Sequence, residues 1–342
     1  MPSTAAVDWI SLWKQGRVAV QAGSPRILNE YETPTTFVFL TATHAFKLRK
    51  PVVHGAIDYR TEPQRRLAAR TEITIGQRIS PHMFMGVWTL LSAGQPRLMA
   101  YDAAGEPMVV MARLAHELQL ERLFSSLHTC AEMIDDVAAA CAAFHAGCPV
   151  DWRADGYGAP EHWLAALHHG LTPPVGVQSP PAGASELAPL LAPAEQSALR
   201  EQTAAWLQDL RPLLLQRIAE GRVREGHGDL RLKHVYLTRP WSVIDPLESS
   251  LAQRFTDVAA EVCFLAMELD DLGRQDASDR LLAKYAEAAG DPTLAAVAPL
   301  FKRLRAIARA QVAGERAART TGLLREAQRS RARRLFELAL SY

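Results

Sequence analysis

From Phe37 to Leu40 the chain reads Phe-Val-Phe-Leu, four strand-forming side chains in a row; Thr41-Ala-Thr-His44 interrupts them, and Ala45 to Lys50 then alternates apolar and basic residues. Two such runs joined by a short polar break predict a β-hairpin. Past Pro51 the period changes. Charged and apolar positions between Glu62 and Ile79 recur at helical spacing, which predicts an amphipathic helix with Leu67, Ile73, Ile75 and Ile79 on its core face. Two short strands are expected next, at Met85–Leu91 and Met108–Leu114. From Thr129 onward the pattern is helical. Thr129-Cys-Ala-Glu132 fits a capping box, and Met133, Val137, Ala140, Cys141 and Phe144 share one helical face. Further helices are expected over Ala194–Ile218, Phe255–Leu272, Asp276–Ala289 and Leu294–Leu340, and the Pro-, Gly- and Ala-rich stretch 170–193 reads as a mobile insertion. The pattern is therefore α+β: a small N-terminal antiparallel sheet with one helix over residues 1–115, then a larger, mainly helical part over 116–342.

The composition fits this division. With 342 residues, 48% hydrophobic and 22% charged, the chain can bury one large core or two smaller ones, which excludes disordered and fibrous classes. Thirty-eight Lys and Arg against 37 Asp and Glu give a net charge of +1, so no overall field favours nucleic acid or anionic lipid, and a small partner is expected. The Arg-rich segment from Arg305 to Tyr342 reads as a solvated helix face; a nucleic-acid-binding helical protein is the weakest reading. Cys130, Cys141, Cys148 and Cys263 show no metal-binding spacing and are expected to be reduced, buried thiols. No window reaches eighteen apolar residues and no signal-peptide pattern opens the chain, so a cytoplasmic protein without a membrane partner is expected.

The chemistry concentrates in Glu225-Gly-His-Gly-Asp229-Leu-Arg-Leu-Lys-His234-Val-Tyr-Leu237, followed by Ser242-Val-Ile-Asp245. A carboxylate, a metal-ligand position five residues on, a short strand and a second carboxylate at the end of another strand form a kinase catalytic-loop arrangement. In that arrangement Asp229, within His227-Gly228-Asp229, orients a substrate hydroxyl in line with a γ-phosphate, and Asp245 holds the metal that bridges the phosphates. Glu248, Asp257 and Glu261 follow the metal strand and are candidates for an acceptor pocket suited to a cationic or polyhydroxy substrate.

These segments resemble the aminoglycoside phosphotransferase-like branch of the protein-kinase-like superfamily, whose loop reads His-Gly-Asp-Leu-His-x-x-Asn. The chain is similar throughout to uncharacterised bacterial proteins described as aminoglycoside phosphotransferase-like or gluconate-kinase-like, from Glu32-Thr-Pro-Thr-Thr-Phe-Val-Phe-Leu-Thr and Ala45-Phe-Lys-Leu-Arg-Lys-Pro-Val52 to Arg331–Tyr342. Some of those carry a fused P-loop domain, and no Gly-x-x-x-x-Gly-Lys-Ser/Thr occurs in these residues. The resemblance implies a bilobal kinase-like fold and ATP-dependent phosphorylation of an alcohol group on a small molecule. Lys47 then matches the strand lysine at the nucleotide phosphates, Glu72 its helix partner, and Met111 to Leu114 the hinge that binds adenine. Arg49 and Lys50 are alternative phosphate contacts.

Two departures follow. Glu32-Thr-Pro-Thr-Thr36 stands where a Gly-rich loop is common, and His234 takes the place of the Asn metal ligand. Magnesium prefers hard oxygen donors, whereas manganese tolerates an imidazole, so His234 makes Mn2+ an alternative to Mg2+. It also sustains a second reading, a pseudokinase whose nucleotide occupancy regulates a partner.

Overall fold

The computed structural model describes residue 12 and residues 18–20, 26–54, 57–91, 97–126, 131–153, 155–171 and 191–342. Thr129 and Cys130 of the expected capping box, and most of the 170–193 insertion, lie outside these residues. In chain order the strands and helices are β1 (Ala19–Val20), β2 (Asn29–Glu32), β3 (Thr36–Leu40), β4 (His44–Arg49), β5 (Val53–His54), β6 (Ile57–Asp58), α1 (Glu62–Ile79), β7 (Phe84–Leu91), β8 (Arg97–Met99), β9 (Glu106–Ala112), α2 (Leu120–Ser125), α3 (Ala131–Ala146), α4 (Pro160–Leu171), α5 (Pro193–Asp209), α6 (Arg211–Ala219), β10 (Val223–Glu225), β11 (Val235–Tyr236), β12 (Ser242–Val243), α7 (Leu251–Arg254), β13 (Phe255–Asp257), α8 (Val258–Asp271), α9 (Gln275–Ala289), α10 (Leu294–Ala318) and α11 (Gly322–Ser341). They divide into two compact units. One takes the described residues up to Leu120 together with Lys233–Leu251; the other takes Glu121–Leu232 and Ala252–Tyr342.

The first unit is built on a sheet of order β1-β8-β7-β9-β4-β3-β2. Its ladders are antiparallel, except that the short edge strand β1 runs parallel to β8. β3 and β4 form the expected hairpin, with Phe39 opposite Phe46 and Val38 opposite Lys47. Successive strand side chains point to opposite faces. Phe46, Leu48, Met108 and Val110 therefore join Phe39, Leu90 and Leu98 in one core layer. Ala45, Val109 and Met111 join Phe84, Val87 and Ala69 of α1 in the other. By the same alternation Lys47 and Arg49 point to the face that α1 covers.

Pro63 in the first turn of α1 and the Gln64 side chain, which accepts the Thr61 N–H at 3.0 Å, begin that helix where the sequence predicts. Its inward stripe runs through Arg65, Ala68, Glu72, Ile75 and Ile79. Ile73 packs half-buried at the margin, and Leu67, expected in the core, is 68% exposed because it lies off that stripe. The returning segment is stitched to the same unit. Leu237 donates to Leu118 O at 2.9 Å, Gln119 Nε2 to Lys233 O at 2.7 Å, and Val243 N–H to Ser80 Oγ at 2.7 Å.

In the second unit α8 is buried along nearly its whole length, in keeping with its mostly apolar sequence. It packs on α9 and α10; α9 covers α3, and α10 carries α11. Three expected helices differ. Phe255–Asp257 pairs with β10 as a strand, and α8 starts only where Asp257 caps it by accepting the Ala259 N–H at 2.8 Å. The helix expected over Ala194–Ile218 breaks at Leu210, just before Pro212, which has no N–H to continue the ladder. The helix expected over Leu294–Leu340 breaks at 319–321, ahead of Gly322 at φ +58°, and α11 folds back so that Arg303 Nε reaches Ala339 O at 3.0 Å. Arg303 is therefore buried.

Cys141, Cys148 and Cys263 are buried free thiols. Burial raises the thiol pKa of Cys141 and Cys263, which keeps both protonated. Ile75→Ala is expected to lower the unfolding free energy by about 2–5 kcal/mol and Leu67→Ser to change it by less than about 0.5 kcal/mol, measured by urea denaturation.

Candidate active site

In the first unit a set of charges gathers on the α1 face of the sheet. Lys47, 7% exposed, donates to Glu72 Oε1 at 3.1 Å and to Asp245 Oδ1 at 2.5 Å. The Arg49 guanidinium donates to the other Glu72 oxygen and, at 3.1 Å, to Glu248 Oε1, which also accepts Tyr59 OH at 2.6 Å. Two cations thus face three carboxylates, an excess of negative charge in a site of low polarisability. Burial opposes the charge on Lys47, but Asp245 and then Glu72 overcome it and hold the ammonium pKa above its usual range. Burial would raise the Asp245 carboxyl, yet Lys47 and then His234 hold it far below the carboxylate range. For Glu72, burial prevails and pushes the carboxyl up against the pull of Lys47 and Arg49.

Asp245 alone in this set keeps an open side, with its side chain 49% exposed. Among the described residues it is the one non-glycine residue at positive φ, +64°. Such a backbone costs about 1–3 kcal/mol and persists where surrounding contacts dictate it. Here Lys47 and the short pair β11–β12 do so, and Ile244 N–H donates to His234 O at 3.0 Å just before it. His234 Nε2 lies 3.7 Å from Asp245 Oδ2. One half-exposed carboxylate is a set that magnesium accepts when phosphate oxygens supply further ligands; the imidazole beside it suits manganese better. No cluster of three or more His, Cys, Asp or Glu residues able to hold a metal occurs among the described residues. Met111 lies inside the sheet, opposite Ala45 on one side and Phe84 on the other, and Leu114 follows the end of β9.

In the second unit the His227-Gly-Asp229 loop is held through its backbone. Glu261, in the first turn of α8, accepts the His227 N–H at 3.0 Å and the Gly228 N–H. It also bonds His145 Nε2 at 3.0 Å, while His145 Nδ1 meets Tyr285 OH at 2.6 Å. Two turns further along α8, Glu268 accepts the Leu232 N–H at 2.9 Å and Arg231 Nε at 2.7 Å. The two carboxylates bracket the loop, and the half-buried Asp229 stands between its anchored ends.

Both glycines are needed for this path. A Cβ on Gly226 would enter the Glu261 carboxylate, and Gly228 adopts φ +83°. His227 is fully buried and its Nδ1 accepts the Asp229 N–H at 3.3 Å, so the ring holds the Asp229 main chain. Burial would raise the Glu261 carboxyl, but the His145 hydrogen bond and charge, then His227 and the Gly228 N–H, bring it to about 2.

The three carboxylates expected at an acceptor pocket are all engaged by the protein. Glu248 is bonded to Arg49 and Tyr59, and Glu261 to the loop amides and His145. Asp257 caps α8 and receives both Arg217 Nε and Nη2 at 2.7 Å, while the same guanidinium reaches Asp291 at 2.7 and 2.9 Å. Sequence reasoning missed the anchoring role of Glu261 because its partners are main-chain amides, which leave no residue pattern. Nor does local pattern single out His145, because its partners lie 116 and 140 positions away.

Because the Glu261 carboxyl titrates lower in the folded chain, its stabilisation is full above about pH 4.5 and lost as pH falls toward about 2. Glu261→Gln is therefore expected to cost about 3 kcal/mol at pH 7. The gap to wild type should close in denaturant titrations as pH falls from 5 to 2; a gap independent of pH would contradict the assignment.

No family model matches the chain. It is 27% identical over 290 residues to uncharacterised proteins of Mycobacterium bovis and Mycobacterium tuberculosis; the match covers 82% of this chain and 53% of theirs, so the chain spans about half their length. Among solved structures it is similar to an aminoglycoside 2'-phosphotransferase-IIIa in its GDP complex, with TM-score 0.52 and 14% identity over 99% of this chain and 100% of that one. It is similar also to choline kinase from Cryptosporidium parvum, with TM-score 0.54 and 10% identity over 99% and 96%. The chain has the protein-kinase-like fold of these phosphotransferases: an N-terminal antiparallel sheet with one long helix, and a larger helical part.

Proposed function

We propose that the chain is an ATP-dependent phosphotransferase that moves a γ-phosphoryl group directly onto a hydroxyl of a small molecule. The observation that carries this reading is Lys47, a buried strand ammonium held between a helix carboxylate, Glu72, and the half-exposed Asp245. A fixed ammonium next to an open carboxylate suits a polyphosphate and its divalent ion. The backbone at the end of β9, from Met111 to Leu114, would take the adenine. Asp245 would hold the ion, with His234 as a further ligand for Mn2+. When bound, Mg2+ or Mn2+ neutralises charge on the phosphate oxygens.

Asp229 accepts the hydrogen bond of the acceptor hydroxyl and takes its proton as the new O–P bond forms. The bond from γ-phosphorus to the bridging oxygen breaks, ADP leaves, and the proton passes to solvent. Glu261, Glu268 and His227 keep the Asp229 main chain fixed, so little reorganisation is needed at that moment. Aminoglycosides and choline, named for the similar structures, are cationic. Glu248, Asp257 and Glu261 are engaged in this chain, so that acceptor class does not carry over.

Asp229→Asn is expected to lower ADP release by about 10²–10⁴-fold with ATP binding retained. Asp245→Asn should abolish the divalent dependence of nucleotide binding in calorimetry, and His234→Asn should shift the preferred ion from Mn2+ toward Mg2+. Equal turnover in the Asp229 variant would remove its assignment as base. Metal-independent ATP binding without any ADP release would favour the pseudokinase reading.

A further inference from the structure

The helical unit turns arginines toward the loop that carries Asp229. Arg305 and Arg309 lie one turn apart on α10, and Arg331 comes from α11. Arg305 Nε donates to Ala260 O at 3.1 Å, and its guanidinium stands 5.0 Å from the Phe264 ring centroid. The Arg231 guanidinium is 5.7 Å from the same ring. Phe264 lies between Glu261 and Glu268, the two carboxylates that bracket the loop, so Arg305 and the loop share one face of α8.

Arg231 is matched by Glu268, but the arginines beyond it are not matched in this way. The Nε atoms of Arg309 and Arg331 are buried and have no hydrogen-bond partner among the described residues, and neither side chain makes an ion pair there. Arg309 feels repulsion from Arg231 and Arg331 and attraction from Asp229 and Glu268; burial, first, and that repulsion lower its pKa. Burial lowers Arg305 as well, against the attraction of Glu261 and Asp229. A guanidinium whose buried donors lack acceptors is a net cost to the fold. A planar oxyanion relieves that cost, because it can accept two of the parallel N–H groups at once.

We propose that Arg309 and Arg331, with Arg305 beside them, bind the anionic group of the acceptor, so that the substrate is a hydroxylated carboxylate or phosphate monoester rather than a cation. The word acceptor rests on the phosphotransferase reading above. The anion site itself does not.

The test uses the full chain without nucleotide and calorimetry with three matched probes: glycerate, glycerol 3-phosphate and uncharged glycerol. The two anions are expected to bind, glycerol not, and their affinity to fall as NaCl is raised. Glycerate and glycerol 3-phosphate together distinguish a carboxylate from a phosphate preference. Arg309→Gln and Arg331→Gln should each weaken anion binding about tenfold, and Arg309→Lys should recover part of it. Choline binding in preference to the anions, or equal anion binding by the double Gln variant with an unchanged urea midpoint, would overturn the site.

ATP is titrated separately into wild type. Competition between ATP and the anions would assign the arginines to nucleotide phosphates and overturn the acceptor role. Anion binding with no ATP binding would remove the phosphotransferase reading while supporting the anion site.

Discussion

A lysine ammonium taken out of water on a sheet face has to be met by carboxylates, and much of the first unit is arranged to satisfy that need around Lys47. The period of β4 sends Lys47 to the α1 face together with Arg49. The register of α1 brings Glu72 to the same level, fully buried. The third partner, Asp245, comes from a segment far along the chain, and the β11–β12 pair exists largely to present it. Removing Lys47 or Arg49 leaves three carboxylates facing a single cation, which costs several kcal/mol. The charge set is thus a constraint on the fold before it is a device for chemistry.

The second unit shows the opposite balance. Its carboxylates are spent on the main chain: Glu261 and Glu268 hold loop amides, and Asp257 caps α8 and meets Arg217. Its arginines are left in excess around Asp229. One set of side chains is therefore negative and the other positive, so each is complementary to a different kind of ligand.

Local pattern carried a good part of this. The β3–β4 hairpin, α1 and the His227-Gly-Asp229 loop were readable because each depends on neighbours in sequence. Lys47 on its strand and Glu72 on its helix were readable for the same reason, although their 3.1 Å approach depends on the packing of α1 against the sheet. Other features depend on partners the sequence does not place nearby. Leu67 has the spacing of a core residue, but the stripe is set by Ala68 and Glu72, a rotation that only the sheet defines. The break before Gly322 has a local signal in Thr320-Thr321-Gly322, all weak helix formers, but the long helical runs on either side masked it. Arg305 of α10 was read as solvated because charge is usually outside; a long stem lets it cross an apolar surface to reach the Ala260 carbonyl.

The discontinuity of the first unit bears on how the chain is made. Because that unit includes Lys233–Leu251, it cannot be complete when its own sheet has left the ribosome. More than a hundred residues of the helical unit are synthesised before Asp245 emerges. Until then Lys47 has Glu72 but lacks its second carboxylate, and the sheet waits for the rest of its charge to be translated. The first unit is therefore completed only after Glu121–Leu232 of the second has been synthesised, and the residue that closes it is the one to which the proposed function gives the metal.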